Sequence, residues 1–453
     1  MTPTFDTSNR TDSFVGRSER SSVWSALATL KLPDFRDLTM QRAYAALVRF
    51  CFIAIIVSNN VDVSRAARSD EAVSLSFQVL LKLALVGLSL LLAAWGLFSR
   101  PSIFRAFETV PGALVLLLVI WHFVTCVTAV LPNIALASAL SFAGLAFLTM
   151  ANLQIHGPKQ VFFDCMLAMA IYVTLGIALG FVKPELTVFN EYISTTETVS
   201  RFGGLGHPNA LGAYVVLCLV LAIGLALDRE ISWRWPAAMI VLCLYVSLMA
   251  ISRTPLIAGT IATGIIVFPR LTAGMKLSLL APVVLIPAAL LFASAVVGDE
   301  AVQGKLLSSV TKTGEAEELT SATGRTEIWA LALTLIAERP LTGCGAGSTP
   351  VVMVEAGHSH NILLEPTVAL GVPGGILVAL LLLYNVWILI TTRSATVRGF
   401  AIFLFVLGAV ESPISGPFPS GTTLIWLAAT LFVPVLQTNV RTRESMASSY
   451  QTT

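Results

Sequence analysis

Apolar runs near the length that a bilayer requires, roughly 17 to 25 residues, recur along the chain. We place twelve, at about 42–58, 75–98, 110–130, 133–152, 161–182, 208–227, 236–251, 255–269, 277–297, 363–391, 399–414 and 421–437. The run 255–269 is the weakest, a short apolar stretch between Arg253 and Arg270. Polar segments between runs are mostly brief, but two are long: Lys183 to His207 and Gly298 to Gly357. The pattern predicts an all-α polytopic membrane protein with about 12 transmembrane helices over 42–437. A tail 1–41 precedes them, a tail 438–453 follows, and 298–357 forms one large loop. Within that loop Ile328, Leu331, Leu333, Leu335 and Ile336 recur among polar residues. This spacing predicts a surface helix over Arg325 to Arg339, ended by Pro340 and by Gly343, Gly345 and Gly347. No internal repeat is visible.

Composition agrees with the pattern. Apolar residues make up 56% of the 453 and charged residues only 12%, against about 25% charged in a soluble domain. The first forty or so residues are polar and basic, with no early apolar core and no small-residue cleavage site. Insertion is therefore expected to use the first span. The stretch Val23 to Leu32 is too short to span and suits the membrane surface. The placement of charge gives the orientation. If twelve spans put both termini in the cytoplasm, seventeen of the 28 Lys and Arg fall on inner segments and nine on outer ones. The inner segments are also shorter, as the positive-inside rule expects.

Several chemistries lack a signal. The six cysteines form no CxxC pair and no cluster with histidine, and five lie in apolar runs. Neither a disulfide framework nor a thiolate metal site follows. Gly203, Gly204, Gly206 and Gly212 lack a Walker lysine and a strand-to-helix setting, so no nucleotide fingerprint is present. No DxD-like pair occurs in an outer loop, and no metal or cofactor is expected. Asp299, Glu300, Glu315, Glu317 and Glu318 read as a solvated acidic face.

The candidate chemistry collects on the outer face. Arg201 precedes Phe-Gly-Gly-Leu-Gly-His207-Pro-Asn209 at the mouth of the sixth run, and Arg253 sits in a very tight turn between two runs. Arg325 opens the loop helix, His358 and His360 sit at the mouth of the tenth run, and Glu411 and Ser412 end the eleventh. Arginine suits phosphate, because its planar fork gives paired, charge-assisted hydrogen bonds. A single arginine more often meets lipid headgroups or a helix end, but Arg253 lies where arginine is normally scarce. Histidine can accept a proton from a hydroxyl near neutral pH. His122, inside a run, and His156, in a short inner loop, read as structural. His358 and His360 compete for the active role, and on a helix residues two apart point to different faces.

These pieces, in this order, resemble the O-antigen ligase and Wzy-type polymerase superfamily. The carrying features are Arg201-Phe-Gly-Gly-Leu-Gly-His-Pro-Asn209, Ser252-Arg253-Thr254, Gly324-Arg325 with Trp329, Arg339-Pro-Leu-Thr-Gly-Cys-Gly345, His358-Ser-His360-Asn361 with Leu364-Glu365, and Gly371-Val-Pro-Gly-Gly375. They cover roughly Arg201 to Gly375, and the first five runs contribute only their hydropathy. The resemblance implies a GT-C-like glycosyltransferase with a periplasmic active site in the bacterial inner membrane, acting on polyprenyl-pyrophosphate-linked glycans without metal. By position it implies pyrophosphate binding by Arg253 and Arg325, with Arg201 and Arg339 as further candidates. It implies that His360, the histidine before Asn361, positions or deprotonates the acceptor hydroxyl. His358, Asn361, His207, Asn209 and Glu411 complete the candidate set.

Two activities fit. One is polymerisation of undecaprenyl-pyrophosphate-linked repeat units into exopolysaccharide or O-antigen, beside a flippase and a chain-length regulator. The other is ligation of the same donor to lipid A-core or protein. The Gly-His-Pro-Asn and Ser-His-Asn pieces resemble exopolysaccharide-type members and favour the polymerase. A transporter would carry paired repeats and midplane ionisable groups. Here the mid-span ionisable groups are few, Arg49, Lys82 and Asp164, while the polar residues gather outside, and nothing points to nucleic acid.

Overall fold

The computed structural model describes residues 38–59, 77–99, 101–192, 198–250, 252–276, 325–354, 357–412 and 421–432. The apolar run 277–297, most of the large loop, the acidic groups from Asp299 to Glu318 and both tails beyond these bounds lie outside the described residues. The other runs fall on helices: α1 Leu38–Asn59, α2 Phe77–Ser99, α3 Val110–Thr125, α4 Pro132–His156, α5 Pro158–Val182, α6 Pro208–Leu227, α7 Arg234–Ala250 and α8 Arg253–Val267. Then come the loop helix α9 Arg325–Glu338, followed by α10 Leu364–Thr391, α11 Ala395–Gly408 and α12 Gly421–Phe432. Among the described residues, seven helices are long and apolar enough to cross a membrane. The chain is a multi-pass membrane protein.

Local chemistry sets the helix starts. Pro132, Pro158 and Pro208 stand in the first turns of α4, α5 and α6, where a missing N–H costs nothing and the fixed φ is already helical. Thr109 caps α3 by accepting the Gly112 amide at 3.4 Å, and His207 Nδ1 accepts the Asn209 amide at 3.2 Å at the start of α6. Helix α6 is apolar all round, as a helix surrounded by protein must be. It packs against α5, α7, α8 and α11, and 83% of its apolar window is buried, against 22% for α2.

Several polar groups within the helices are paired with side chains or carbonyls. Arg49 on α1 holds Asp164 on α5 through both Nε and Nη2, at 2.9 and 2.7 Å. Such pairing is the usual resolution for ionisable groups within apolar helices. His122 bonds the Leu118 carbonyl and stacks on Phe142, and His156 bonds the Ala45 carbonyl. Both have the structural roles that their positions suggested. All six cysteines are free.

Two features depart from the expected picture. The segment after α5 is not all irregular: β1 Val188–Tyr192 pairs antiparallel with β2 Thr198–Phe202, with Phe189 opposite Arg201. The all-α expectation therefore omits a hairpin, because five-residue strands flanked by polar residues leave little periodicity to read. Helix α10 is also broken. Gly371 has φ 73° and ψ −179°, and Pro373 follows two residues later. The break frees carbonyls in an apolar setting, and other groups must satisfy them. Cys344 and Gly345 donate their amides to Val368 and Ala369 at 2.9 and 2.8 Å. Trp121 Nε1 donates to the Leu370 carbonyl at 2.8 Å, and Val372 donates to Pro340. Gly343, at φ 64°, lies so close that a methyl there would strike the Val368 carbonyl, and one on Gly371 would strike that of Leu341. The Gly-Cys-Gly and Gly-Val-Pro-Gly-Gly motifs thus stitch one loop into one broken helix.

Candidate active site

The His-Ser-His-Asn stretch is a loop held on every side. Asn361 Oδ1 accepts the amides of Leu363 and Leu364, capping α10, and its Nδ2 donates to the Ala409 carbonyl at 3.1 Å. Ile362 donates to the Gly408 carbonyl at 2.9 Å. Glu365, buried in the first turn of α10, accepts the Ser359 amide at 2.8 Å. Trp329 of α9 donates to the Ser359 carbonyl at 3.0 Å. These anchors join α9, α10 and the end of α11 around two histidines.

Because the loop is not helical, the expected divergence of His358 and His360 does not occur. His360 takes φ 51°, left-handed backbone that a non-glycine residue adopts rarely and at a cost. The two rings come within 3.8 Å, centroid to centroid. Both meet Glu411, just beyond the end of α11. His360 Nδ1 lies 3.1 Å from Oε2, and His358 Nε2 lies 3.9 Å from the same oxygen. Arg325 Nη2 reaches the other oxygen, Oε1, at 3.4 Å. Burial opposes ionisation of this carboxyl. Hydrogen bonds from His358 and His360 and the charges of His360 and Arg325 outweigh burial and bring its pKa down to about 2. Glu411 is therefore a carboxylate throughout the neutral range.

This cluster lines a cavity of about 330 Å³. Its polar wall carries His207, Asn209, Thr254, His358, His360, Glu411, Ser412 and Thr422, and its apolar wall includes Ala213, Leu217, Phe403, Leu404 and Ile425. Three helices present their N-terminal turns to it: α6 through His207 and Asn209, α8 through Thr254 and Pro255, and α12 through Thr422. Unsatisfied amides and the helix dipole make such ends favourable to anions.

The sequence candidates divide on this geometry. His360, His358, His207, Asn209 and Glu411 share the cavity. Arg325 joins through Glu411, and Arg253 stands in the first turn of α8 directly before two lining residues. Arg201 is placed differently. It is only 3% exposed; its Nε donates to the Ala250 carbonyl and its Nη2 to Asn209 Oδ1, both at 2.9 Å. The hairpin thereby uses Arg201 to tie the end of α7 to the start of α6. Arg339 is exposed just past the far end of α9, about 20 Å along the helix from Arg325 at 1.5 Å per residue. Asn361 acts as an anchor. The roles of Trp329 and Glu365 are ones that the residues alone did not reveal, although both stand in the motifs.

Residues 237–379 match the O-antigen ligase family model. No curated protein matches the sequence. The matched segment runs from α7 into α10 and contains Arg253, Arg325, Arg339, His358, His360 and Asn361. Arg201, His207, Asn209 and Glu411 lie outside it, although three of those four line the same cavity. The family implies a glycosyltransferase-like enzyme that works on lipid-linked glycans in a membrane. That match, together with the order of motifs along Arg201 to Gly375, supports the resemblance of this multi-pass chain to the O-antigen ligase and Wzy-type superfamily.

Proposed function

We propose that the protein polymerises undecaprenyl-pyrophosphate-linked repeat units into exopolysaccharide or O-antigen at the periplasmic face of the inner membrane. The observation that carries this reading is the joining of His360 and Arg325 on the two oxygens of Glu411, at the mouth of a cavity ringed by helix N-termini.

In this reading Glu411 fixes the His360 ring through Nδ1, which leaves Nε2 to take the proton of the acceptor hydroxyl. The hydroxyl oxygen attacks the anomeric carbon. The bond from that carbon to the pyrophosphate oxygen breaks, and the lipid pyrophosphate leaves with the electron pair. A single displacement inverts the anomeric centre. Charge grows on the leaving group, so stabilisation there lowers the barrier most. Arg253, Arg325 and the α8 N-terminus supply that stabilisation, and the transfer needs no metal. The hydroxyl and amide groups of Thr254, Asn209, Ser412 and Thr422 suit a sugar, and the apolar wall suits the lipid beside it.

The test is polymer formation by full-length protein in membranes supplied with lipid-linked repeat units. His360→Ala and Arg253→Ala should each abolish polymer while inserting at normal levels. Arg253→Lys should also impair it, since the paired fork is lost. Normal polymer from either alanine variant overturns the site. The family description favours a second reading, ligation of the same donor to lipid A-core or protein. Supplying each acceptor in turn separates the two, because a ligase leaves the repeat unit unextended without its acceptor.

A further inference from the structure

We infer that His358, His360 and Glu411 form a site for a divalent transition metal of the zinc class, and that its occupation shuts the transfer reaction off. The ligand atoms already converge. His358 Nε2, His360 Nδ1 and Glu411 Oε2 all lie within 4.8 Å of one another. Two of the three separations are 3.1 and 3.9 Å. Ligands about 2.0–2.1 Å from a tetrahedral zinc ion stand about 3.3–3.4 Å apart. The two measured separations bracket that edge, so small side-chain rotations close the set around an ion.

The donor chemistry selects the metal. Two imidazoles and one carboxylate suit Zn²⁺ and its neighbours in the divalent series, whereas Mg²⁺ and Ca²⁺ call for shells of oxygen. The fourth position opens to the cavity that His358, His360 and Glu411 line together. The remaining oxygen, Oε1, stays with Arg325 at 3.4 Å, an outer contact of the kind that holds a ligating carboxylate in place. The left-handed backbone at His360 and the anchors on Ser359 hold both rings before any ion arrives.

Binding needs no covalent step. The neutral His360 ring moves its proton from Nδ1 to Nε2, and the metal takes the vacated Nδ1 lone pair together with Glu411 Oε2. The ring then presents N–H, instead of a lone pair, to an acceptor hydroxyl. Occupation therefore removes the base that the proposed reaction uses. The metal blocks this site and does not catalyse there. The inhibitory half of the inference rests on the proposed function, and the binding half does not.

The experiment uses full-length protein in nanodiscs, stripped with chelator and titrated with Co²⁺ as the spectroscopic probe. One Co²⁺ per chain should bind with the intense visible bands of low coordination number, and Zn²⁺ should displace it. X-ray absorption at the zinc edge of the wild type should show two imidazoles and oxygen, without sulfur. His358→Gln and Glu411→Gln should each lose the one-to-one binding. Absence of binding by the wild type, sulfur in its shell, or retention in both variants overturns the site. The wild-type absorption spectrum decides the matter even if a variant fails to fold. Zn²⁺ should also halt polymer formation by the wild type, reversibly on chelation. One-to-one binding without inhibition overturns the blocking role and the reading of His360 as base, while the metal site stands. Full activity with no metal binding removes the metal site alone.

Discussion

At the scale of single residues, Glu411 is the group on which the site turns. Its two oxygens serve different partners, His360 on one and Arg325 on the other. Glu411→Gln keeps the volume but replaces one acceptor oxygen with an amide, so one partner loses its acceptor. If the carboxylate orients His360, the loss falls on kcat with little change in KM, and turnover drops about 10- to 100-fold. Removing the base itself, as in His360→Ala, costs about 10²- to 10⁴-fold. Single-turnover and steady-state rates with lipid-linked donor separate these outcomes, and wild-type turnover by Glu411→Gln would show that the carboxylate has no part in the reaction. This residue also marks the reach of sequence reasoning. The histidines and arginines stand out because their motifs are local and their chemistry is distinctive. Glu411 is 51 residues from His360 and outside the matched family segment. Only the packing of α11 beside the loop reveals the partnership.

At the scale of elements, hydropathy predicts helices well because one physical cause, burial from water, produces both the apolar run and the closed hydrogen-bonding of the helix. It says nothing about a break inside a run. The sequence from Leu364 to Thr391 is apolar on both sides of Gly371, and only backbone geometry shows the interruption. For the same reason the Gly-rich motifs resembled a family before they had a physical explanation. That explanation is testable. Gly371→Ala must place a methyl against the Leu341 carbonyl while holding φ at 73°. Each demand is unfavourable, and together they should cost about 2–4 kcal/mol. Thermal unfolding in detergent should show the loss, and expression should fall with it. An alanine at Gly87, which has open space around its missing Cβ, is the control that should leave the midpoint within a degree or two. Equal midpoints for the two variants would remove the case for a stitched break.

At the scale of the whole molecule, α6 connects two polar clusters. One end carries His207 and Asn209 into the cavity. The other ends beside Asp228, whose carboxylate accepts Ser394 Oγ at 2.7 Å, the Ala395 amide at 2.9 Å, and the Thr396 amide and hydroxyl at 3.0 and 2.8 Å. Asp228 thus caps α11 from a neighbouring helix, and Arg270, just after α8, stands 4.0 Å away. The three helices gathered there, α6, α8 and α11, each also line the cavity with an opposite end or a flank. A carboxylate about 30 Å from His207, twenty residues of helix at 1.5 Å each, thus ties the far end of α6 to the start of α11. Burial opposes its ionisation, but the bonds from Ser394, Thr396 and Ala395 hold its pKa below the ordinary 3.8. A carboxylate lowered in the folded state binds fewer protons there than in the unfolded chain. Its contribution is present in full above the unfolded value and fades as pH falls below it. Asp228→Asn should lower the unfolding midpoint at pH 7 by an amount equivalent to roughly 2 kcal/mol, the scale of hydrogen bonds to a charged group. The gap to wild type should hold steady down to about pH 5 and narrow progressively below 3.8. Polymer formation at pH 7 should fall in the same variant, although Asp228 does not line the cavity, because α6 and α11 lose their common anchor. A gap that stays constant through the acid range would show that the carboxylate charge contributes nothing to holding these helices together.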